Sequence, residues 1–310
     1  TGTRKDEWTG GECLRRATRL RGARLDGAEM SGVTLEHVDL RDASARGVHA
    51  PNSGITRTAL AGADLTGADL NRAVLSGLVM DGADLSRADL RKADLSEASA
   101  VDARFVGAAL SEADLRAADL TGADLSDCDL TDTPLDVVAS WRGAHLRGVD
   151  FTGRDLGGIA FPGVDFSFAT LDQTSLGGSD LSGAVFHAAS LVEVDFAGDG
   201  PPARVGGADF SWAHLDHTSL DAPTLEGNSF RGASLRWSSV PSARNLDLTG
   251  ASLVGAQVGS VEEDSGGAIY FSAAIDEADL SGAWIRGLRP DAGARSLRAR
   301  RARVDQANLY

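Results

Sequence analysis

The stretch GADLSRADLRKADLS, residues 82–96, sets a leucine at every fifth position, and that spacing decides most of what the chain can become. An α-helix turns about 100° per residue, so leucines five apart would advance about 140° each time and wander round the axis. A plain strand sends alternate side chains to opposite faces, so the same leucines would switch sides at every repeat. Both are excluded. What remains is a chain that turns a corner in each repeat, so that every leucine points inward and four repeats close a square coil of about 20 residues, the regime of solenoids.

The frame holds over most of the chain. Its central residue falls on every multiple of five from Leu20 to Leu135, through Leu20, Leu25, Met30, Leu35 and Leu40, a weak stretch at Ala45, Ala50 and Ile55, and then from Leu60 onward. One residue is inserted before Trp141, after which Leu146, Phe151, Leu156, Phe161, Phe166 and their successors keep step as far as Phe196. The segment AGDGPPARVGG interrupts, and the phase resumes from Phe210 to Val240. Shorter blocks follow at Leu248, Leu253 and Val258, at Ile275, Leu280 and Ile285, and at Val304 and Leu309.

Tandem A-[DN]-L-x-x repeats of this kind resemble the pentapeptide-repeat family. That resemblance covers roughly nine tenths of the chain and implies an all-β fold, the right-handed quadrilateral parallel β-helix, here with loop insertions. In corner geometry the central Leu or Phe fills the interior, each burial contributing about 1.5 to 3 kcal/mol. The slot two before it also faces inward, where space is tight, hence Ala63, Ala68, Ala83, Ala88, Ala93, Ala113, Ala118 and Ala123. The residue just before the Leu points outward. Residues 20 apart in an unbroken block should stack at about 4.8 Å, the strand spacing, which predicts Phe166 over Phe186 and Phe210 over Phe230. Arg154 falls in an inward slot, where an unpaired charge is costly, and a local bulge is favoured over a buried functional arginine.

The chain reads as a single solenoid domain over 1–310. It comprises an N-terminal cap at 1–17 that includes Trp8, uninterrupted repeats at 18–135, repeats with insertions at 141–285, and a basic C-terminal segment at 286–310 ending on a repeat. Candidate surface loops are 136–140, 197–207, 241–247, 259–272 and 286–303, by their Gly, Pro and charge content. ARSLRARRARV reads as a short basic helix or arm. A chain that stops on a repeat leaves an open edge, which favours a homodimer or a longer parent. No run approaches the roughly 18 apolar residues that cross a bilayer, and the N-terminus lacks a secretory signal, so a cytoplasmic location is expected.

Charge is the main functional clue. The formal net charge is −15, spread as +2 over residues 1–57, −10 over 58–136, −4 over 137–196, −8 over 197–285 and +5 over 286–310. Residues 58–136 make about four coils, about 19 Å of axis, so their net charge amounts to one per about 1.9 Å, against one per about 1.7 Å in duplex DNA. The candidate protein-interaction residues are the outward carboxylates of this segment: Asp64, Asp69, Asp84, Asp89, Asp94, Asp114, Asp119, Asp124 and Asp129. Asp64 over Asp84 and Asp69 over Asp89 would form ladders.

Some pentapeptide-repeat proteins resemble B-form DNA in shape and charge, bind DNA gyrase or related type II topoisomerases, and protect them from quinolones or peptide toxins. The resemblance therefore implies an acidic DNA mimic with a topoisomerase partner, acting in antibiotic or toxin resistance. The competing reading is a structural or adaptor scaffold for protein–protein interaction, with the acids keeping a large surface soluble. Direct nucleic-acid binding is disfavoured on an acidic body. The Arg295, Arg298, Arg300, Arg301 and Arg303 run suits the acidic body of a second copy better than nucleic acid.

Catalytic and cofactor chemistry is thin. The six histidines, His37, His49, His145, His187, His214 and His217, are scattered, and no Cys or third His joins the close pair His214 and His217 in a metal-binding spacing. There is no phosphate-binding glycine loop, H-E-x-x-H or G-x-S-x-G. No cofactor, metal or catalytic residue is assigned, and the chain reads as a non-enzyme. The remaining enzyme reading needs a loop-built pocket near 197–240 lined by Trp212, Trp237 and His214, whose aromatics otherwise read as packing under the 197–207 loop. Of the two cysteines, Cys13 and Cys128, the latter stands in an Ala slot and reads as a buried small hydrophobe.

Overall fold

Backbone pairing follows the twenty-residue period. Ser44, Asp64, Asp84, Arg104 and Asp124 form one column of parallel bridges, and Glu29, His49, Asp69, Asp89, Ala109 and Asp129 form the next. A chain that returns to pair parallel with itself every 20 residues is a β-helix, and parallel crossovers of this kind are right-handed. The computed structural model describes residues 18–220, 223, 225, 227–240, 246–258, 271–275, 277–286, 288–290 and 303–305. Among these there is no α-helix. The fold is the right-handed quadrilateral parallel β-helix. The chain divides into two compact units, Thr1–Ser140 and Trp141–Tyr310.

Most pairing consists of single bridges at the middle of each side, because the chain turns before a strand can lengthen. Longer runs occur at a few places. In the first unit β1 (Thr18–Arg19) pairs with β3 (Val38–Asp39), and β2 (Thr34–Glu36) with β4 (Gly54–Thr56), all parallel. In the second unit β5 (Ser239–Val240), β7 (Gln257–Val258), β9 (Trp284–Arg286) and β11 (Arg303–Asp305) form one parallel sheet. The strands β6 (Leu246–Asp247), β8 (Phe271–Ala274) and β10 (Leu288–Pro290) form another.

Leucine and alanine fill the interior as the frame requires. Leu65 to Leu95 and Ala63 to Ala93 are all buried at their respective slots. In the second unit phenylalanine takes over one side, and Phe166, Phe186, Phe210 and Phe230 stack in parallel at 5.1, 4.9 and 5.0 Å. Both predicted pairs are present. The middle pair, Phe186 and Phe210, is 24 residues apart and had no counterpart in the regular frame.

Its cause is the loop. Ala203 N–H donates to Phe196 O at 2.8 Å, pinching off residues 197–202, and Asp180 pairs with Arg204. The excursion is thus shorter than the 197–207 read from the sequence, and Val205 already fills the lumen. The loop turns back on the preceding coil so closely that a Cβ on Gly177 would lie 2.6 Å from Gly198 Cα, which only glycine at 177 permits.

Four other expectations are corrected. Arg154 does not sit in a bulge: its N–H donates to Phe151 O at 2.9 Å and its C=O accepts from Ser175, as in ordinary repeats, and the side chain is half-buried. The segment 286–303 is not wholly loop, since β10 pairs with β8 through Leu288 and Phe271. Phe271 and Ser272, taken into the 259–272 loop, belong to β8, and Leu246 and Asp247, taken into the 241–247 loop, belong to β6. The 1–17 cap with Trp8, the Arg295, Arg298, Arg300 and Arg301 run, and Leu309 lie outside the described residues.

Candidate functional site

The outward aspartates owe their position to one backbone amide. In the repeat Ala63–Gly67, Ala63 N–H donates to Leu60 O, Asp64 N–H to Ala43 O, Leu65 N–H to Asp84 O and Gly67 N–H to Ser86 O. Only the Thr66 N–H lacks a backbone acceptor, and Asp64 Oδ1 takes it at 3.1 Å. All nine candidate aspartates do the same for the amide two residues on, at 2.9 to 3.2 Å. Where that residue is Ser or Thr, its hydroxyl often donates to the same oxygen, as Thr121 does to Asp119 at 2.6 Å. These are Asx turns, in which a side chain imitates a backbone acceptor.

Sequence reasoning missed this role and missed a second set of carboxylates that performs it from the neighbouring coil. At four repeats whose outward slot is serine, the corner amide is bonded by an aspartate 20 residues earlier. Asp26 Oδ1 accepts Arg46 N–H and Ser44 Oγ–H, Asp81 accepts Val101 N–H and Ser99 Oγ–H, and Asp172 and Asp216 do likewise for Val192 with Ser190 and Arg236 with Ser234. A signal existed: each serine has an aspartate 18 residues before it.

The nine residues do not share one face. Asp64, Asp84 and Asp124 lie in one column, Asp69, Asp89 and Asp129 in the next, Asp94 and Asp114 in a third, and Asp119 in the fourth. The ladder pairs Asp64–Asp84 and Asp69–Asp89 are present, with Asp94–Asp114 a third. Four are matched by arginines, Asp64 by Arg46, Asp84 by Arg104 at 3.7 Å, Asp89 by Arg91 at 2.5 Å and Asp114 by Arg116 at 2.6 Å, and Asp69 lies 2.7 Å from the His49 ring. Asp94, Asp119, Asp124 and Asp129 have no cation within salt-bridge distance among the described residues.

At three of the nine the surroundings favour the ionised form. Arg91 hydrogen-bonded to Asp89, and Arg116 to Asp114, hold both acids below the usual carboxylate range. At Asp64 partial burial pulls upward, but the bonds from Thr66 and Arg46 prevail and the pKa is lowered. The side chain can therefore serve the turn through Oδ1 and still present negative charge outward.

The other candidates resolve differently. Cys128 is buried, its Sγ–H donates to Phe105 O at 2.9 Å, and burial pushes its thiol up to about 12, so it is an inert corner filler. Trp212 and Trp237 are not packed under the loop: both are more than half exposed. His217 lies stacked on Trp237 at 5.1 Å rather than turned toward His214. Among the described residues no group of His, Cys, Asp or Glu is arranged to hold a metal ion, and no helix is long and apolar enough to cross a membrane.

A family model agrees with this repeat architecture. The family model for pentapeptide repeats matches in eight copies, over residues 16–49, 58–96, 93–132 and 165–198. Similar solved structures include HetL, a pentapeptide repeat protein involved in heterocyst differentiation regulation from the cyanobacterium Nostoc sp. strain PCC 7120. It is 28% identical over 88% of this chain and 91% of its own, with a TM-score of 0.20. A pentapeptide repeat protein of the Arabidopsis thaliana thylakoid lumen is 28% identical over 39% of this chain and 70% of its own, with a TM-score of 0.27. QnrB1, a plasmid-mediated fluoroquinolone resistance protein, is 17% identical over 73% of this chain and 92% of its own, with a TM-score of 0.22. No curated protein sequence matches.

Proposed function

The chain is a pentapeptide-repeat protein, and from that premise we propose that it is a non-enzymatic acidic mimic of duplex DNA that occupies the DNA-binding surface of a protein partner. The partner proposed is a type II topoisomerase such as DNA gyrase, in the cytoplasm, with protection from an antibiotic or toxin as the outcome. One observation carries the reading. Residues 58–136 hold sixteen Asp or Glu against six Lys or Arg, and each of the four sides of the coil has an excess of two or three acids. A duplex likewise offers negative charge all round its axis, and a protein that grips it does so with basic groups set for that density.

The test is a DNA supercoiling assay with gyrase, with and without a quinolone, at micromolar protein. Replacing Asp94, Asp119, Asp124 and Asp129 by Asn preserves the Oδ1 acceptor of each turn while removing four charges. The mimic requires that this variant keep its circular-dichroism spectrum and lose its effect on gyrase, and that rising salt weaken the wild-type effect. Absence of any effect of the wild-type protein sinks the reading.

A second reading, an adaptor scaffold without a topoisomerase role, is favoured by the turn-capping duty of all nine aspartates. On that reading acidity follows from the fold itself. Homodimerisation fits either proposal and is checked by sedimentation.

A further inference from the structure

Three corner positions of the second unit carry large aromatic residues where glycine is the default. Phe168, Trp212 and Trp237 have φ of 61°, 63° and 53°, a conformation that costs a bulky residue about 1 kcal/mol or more. Burial does not offset this, because the three are 55%, 57% and 55% exposed. A strained and exposed aromatic points to function rather than packing.

At two of the three an arginine of this chain lies over the ring, and at Trp237 the His217 ring stacks on it as well. Arg147 lies over the Phe168 ring at 5.4 Å and pairs with Asp165 at 3.3 Å. Arg236 lies over the Trp237 ring at 5.9 Å and pairs with Asp216 at 3.3 Å. Each is an arginine held by an aromatic face and a carboxylate together, which suits a planar guanidinium better than an ammonium.

The third ring repeats the arrangement without an arginine of its own. Asp209 precedes Trp212 by three residues, as Asp165 precedes Phe168. The two aspartates lie on the same side of the coil, two coils apart through Val185. The slot corresponding to Arg147 is His187, whose ring meets Phe168 edge-on at 5.8 Å. Among the described residues no cation lies over Trp212 or within salt-bridge distance of Asp209. Asp209 Oδ1 is engaged by Ser211, leaving Oδ2 to act outward. The indole rests on Gly232, where a Cβ would fall 2.7 Å from the ring.

We propose that Trp212 and Asp209 form a binding site for an arginine side chain presented by a partner protein. The surrounding charge agrees, since residues 165–237 hold ten Asp or Glu against three Arg and no Lys, which attracts a basic segment and repels an anionic one. The site lies in the second unit and does not depend on the topoisomerase reading, which concerns the first.

The experiment titrates octa-arginine and octa-lysine onto the full chain by calorimetry, and follows the Trp212 indole Nε1–H signal by NMR. Octa-arginine should shift that signal, Trp212→Asn should weaken its binding about tenfold while leaving octa-lysine binding unchanged, and Asp209→Asn should weaken octa-arginine more than octa-lysine. Asparagine tolerates the corner conformation at 212 and keeps the turn acceptor at 209, so an unchanged circular-dichroism spectrum is expected of both variants. Equal loss for both peptides, or no loss with octa-arginine, overturns the site. A Trp212 signal moved by a neutral oligosaccharide such as cellohexaose and not by octa-arginine also overturns it.

Discussion

The clamp at Asp81 gives a prediction with a reversal of sign. Asp81 Oδ1 accepts Ser99 Oγ–H at 2.6 Å and Val101 N–H at 3.1 Å on the next coil. Asp81→Ala orphans both donors. A hydrogen bond to a charged acceptor is worth about 1.5 to 3 kcal/mol, and these part-buried donors recover some of it from water, so a loss of about 2 kcal/mol is expected. Ser99→Asp alone sets a second carboxylate against an amide that Asp81 already holds, and like charges at such range cost about 1 kcal/mol or more. In the Asp81→Ala background the same Ser99→Asp recreates the usual in-repeat cap on Val101 N–H and restores about 1 kcal/mol. The coupling between the two sites is then about 2 kcal/mol, well above the error of a double-mutant cycle. Urea unfolding of the full chain measures it, and amide exchange at Val101 reads it locally, about tenfold in rate per 1.4 kcal/mol. If Ser99→Asp shifts stability in the same direction in both backgrounds, the shared-acceptor account of the corner is wrong.

Further predictions concern the lumen and the acids. Phe210 is stacked between Phe186 and Phe230, whereas Phe230 has one stacked partner among the described residues. A stacked pair adds about 0.5 to 1.5 kcal/mol beyond area, so Phe210→Leu should cost about 1 kcal/mol more in urea unfolding than Phe230→Leu, and equal losses would remove stacking as a contributor. Asp39, hydrogen-bonded by Arg41, has its pKa lowered to about 2 from 3.8. A depressed acid contributes stability above its unfolded pKa and loses it as pH falls through the folded one. The Tm difference between wild type and Asp39→Asn should therefore be constant above pH 4 and shrink between about pH 4 and 2, and a difference that grows there contradicts the pairing. Cys128, with its thiol pushed up to about 12 by burial, should resist iodoacetamide at pH 8 until the chain is unfolded in urea, with modification mapped by mass spectrometry.

The repeat frame made much of this protein legible before any coordinates. A side-chain period of five is incompatible with the periods of helix and strand, so inward Leu65, Leu85 and Phe105 and the twenty-residue pairing of Asp64 with Asp84 followed from spacing alone. The acidity of residues 58–136 was equally plain, because charge is a property of composition. Tertiary structure decided what else each charge does. The division of the nine outward aspartates among four sides follows from the same period, but that Asp81 reaches the Val101 amide depends on how its side chain meets the neighbouring coil. So does the shorter excursion at 197–202, closed by a single bond from Ala203 to Phe196. The same holds for Trp212, an ordinary corner residue in the linear frame: only the packing of its ring on Gly232 and the arginines on its two counterparts set it apart. Local periodicity fixes the direction of a side chain, but its partners are set by distances across coils, which no window of sequence contains.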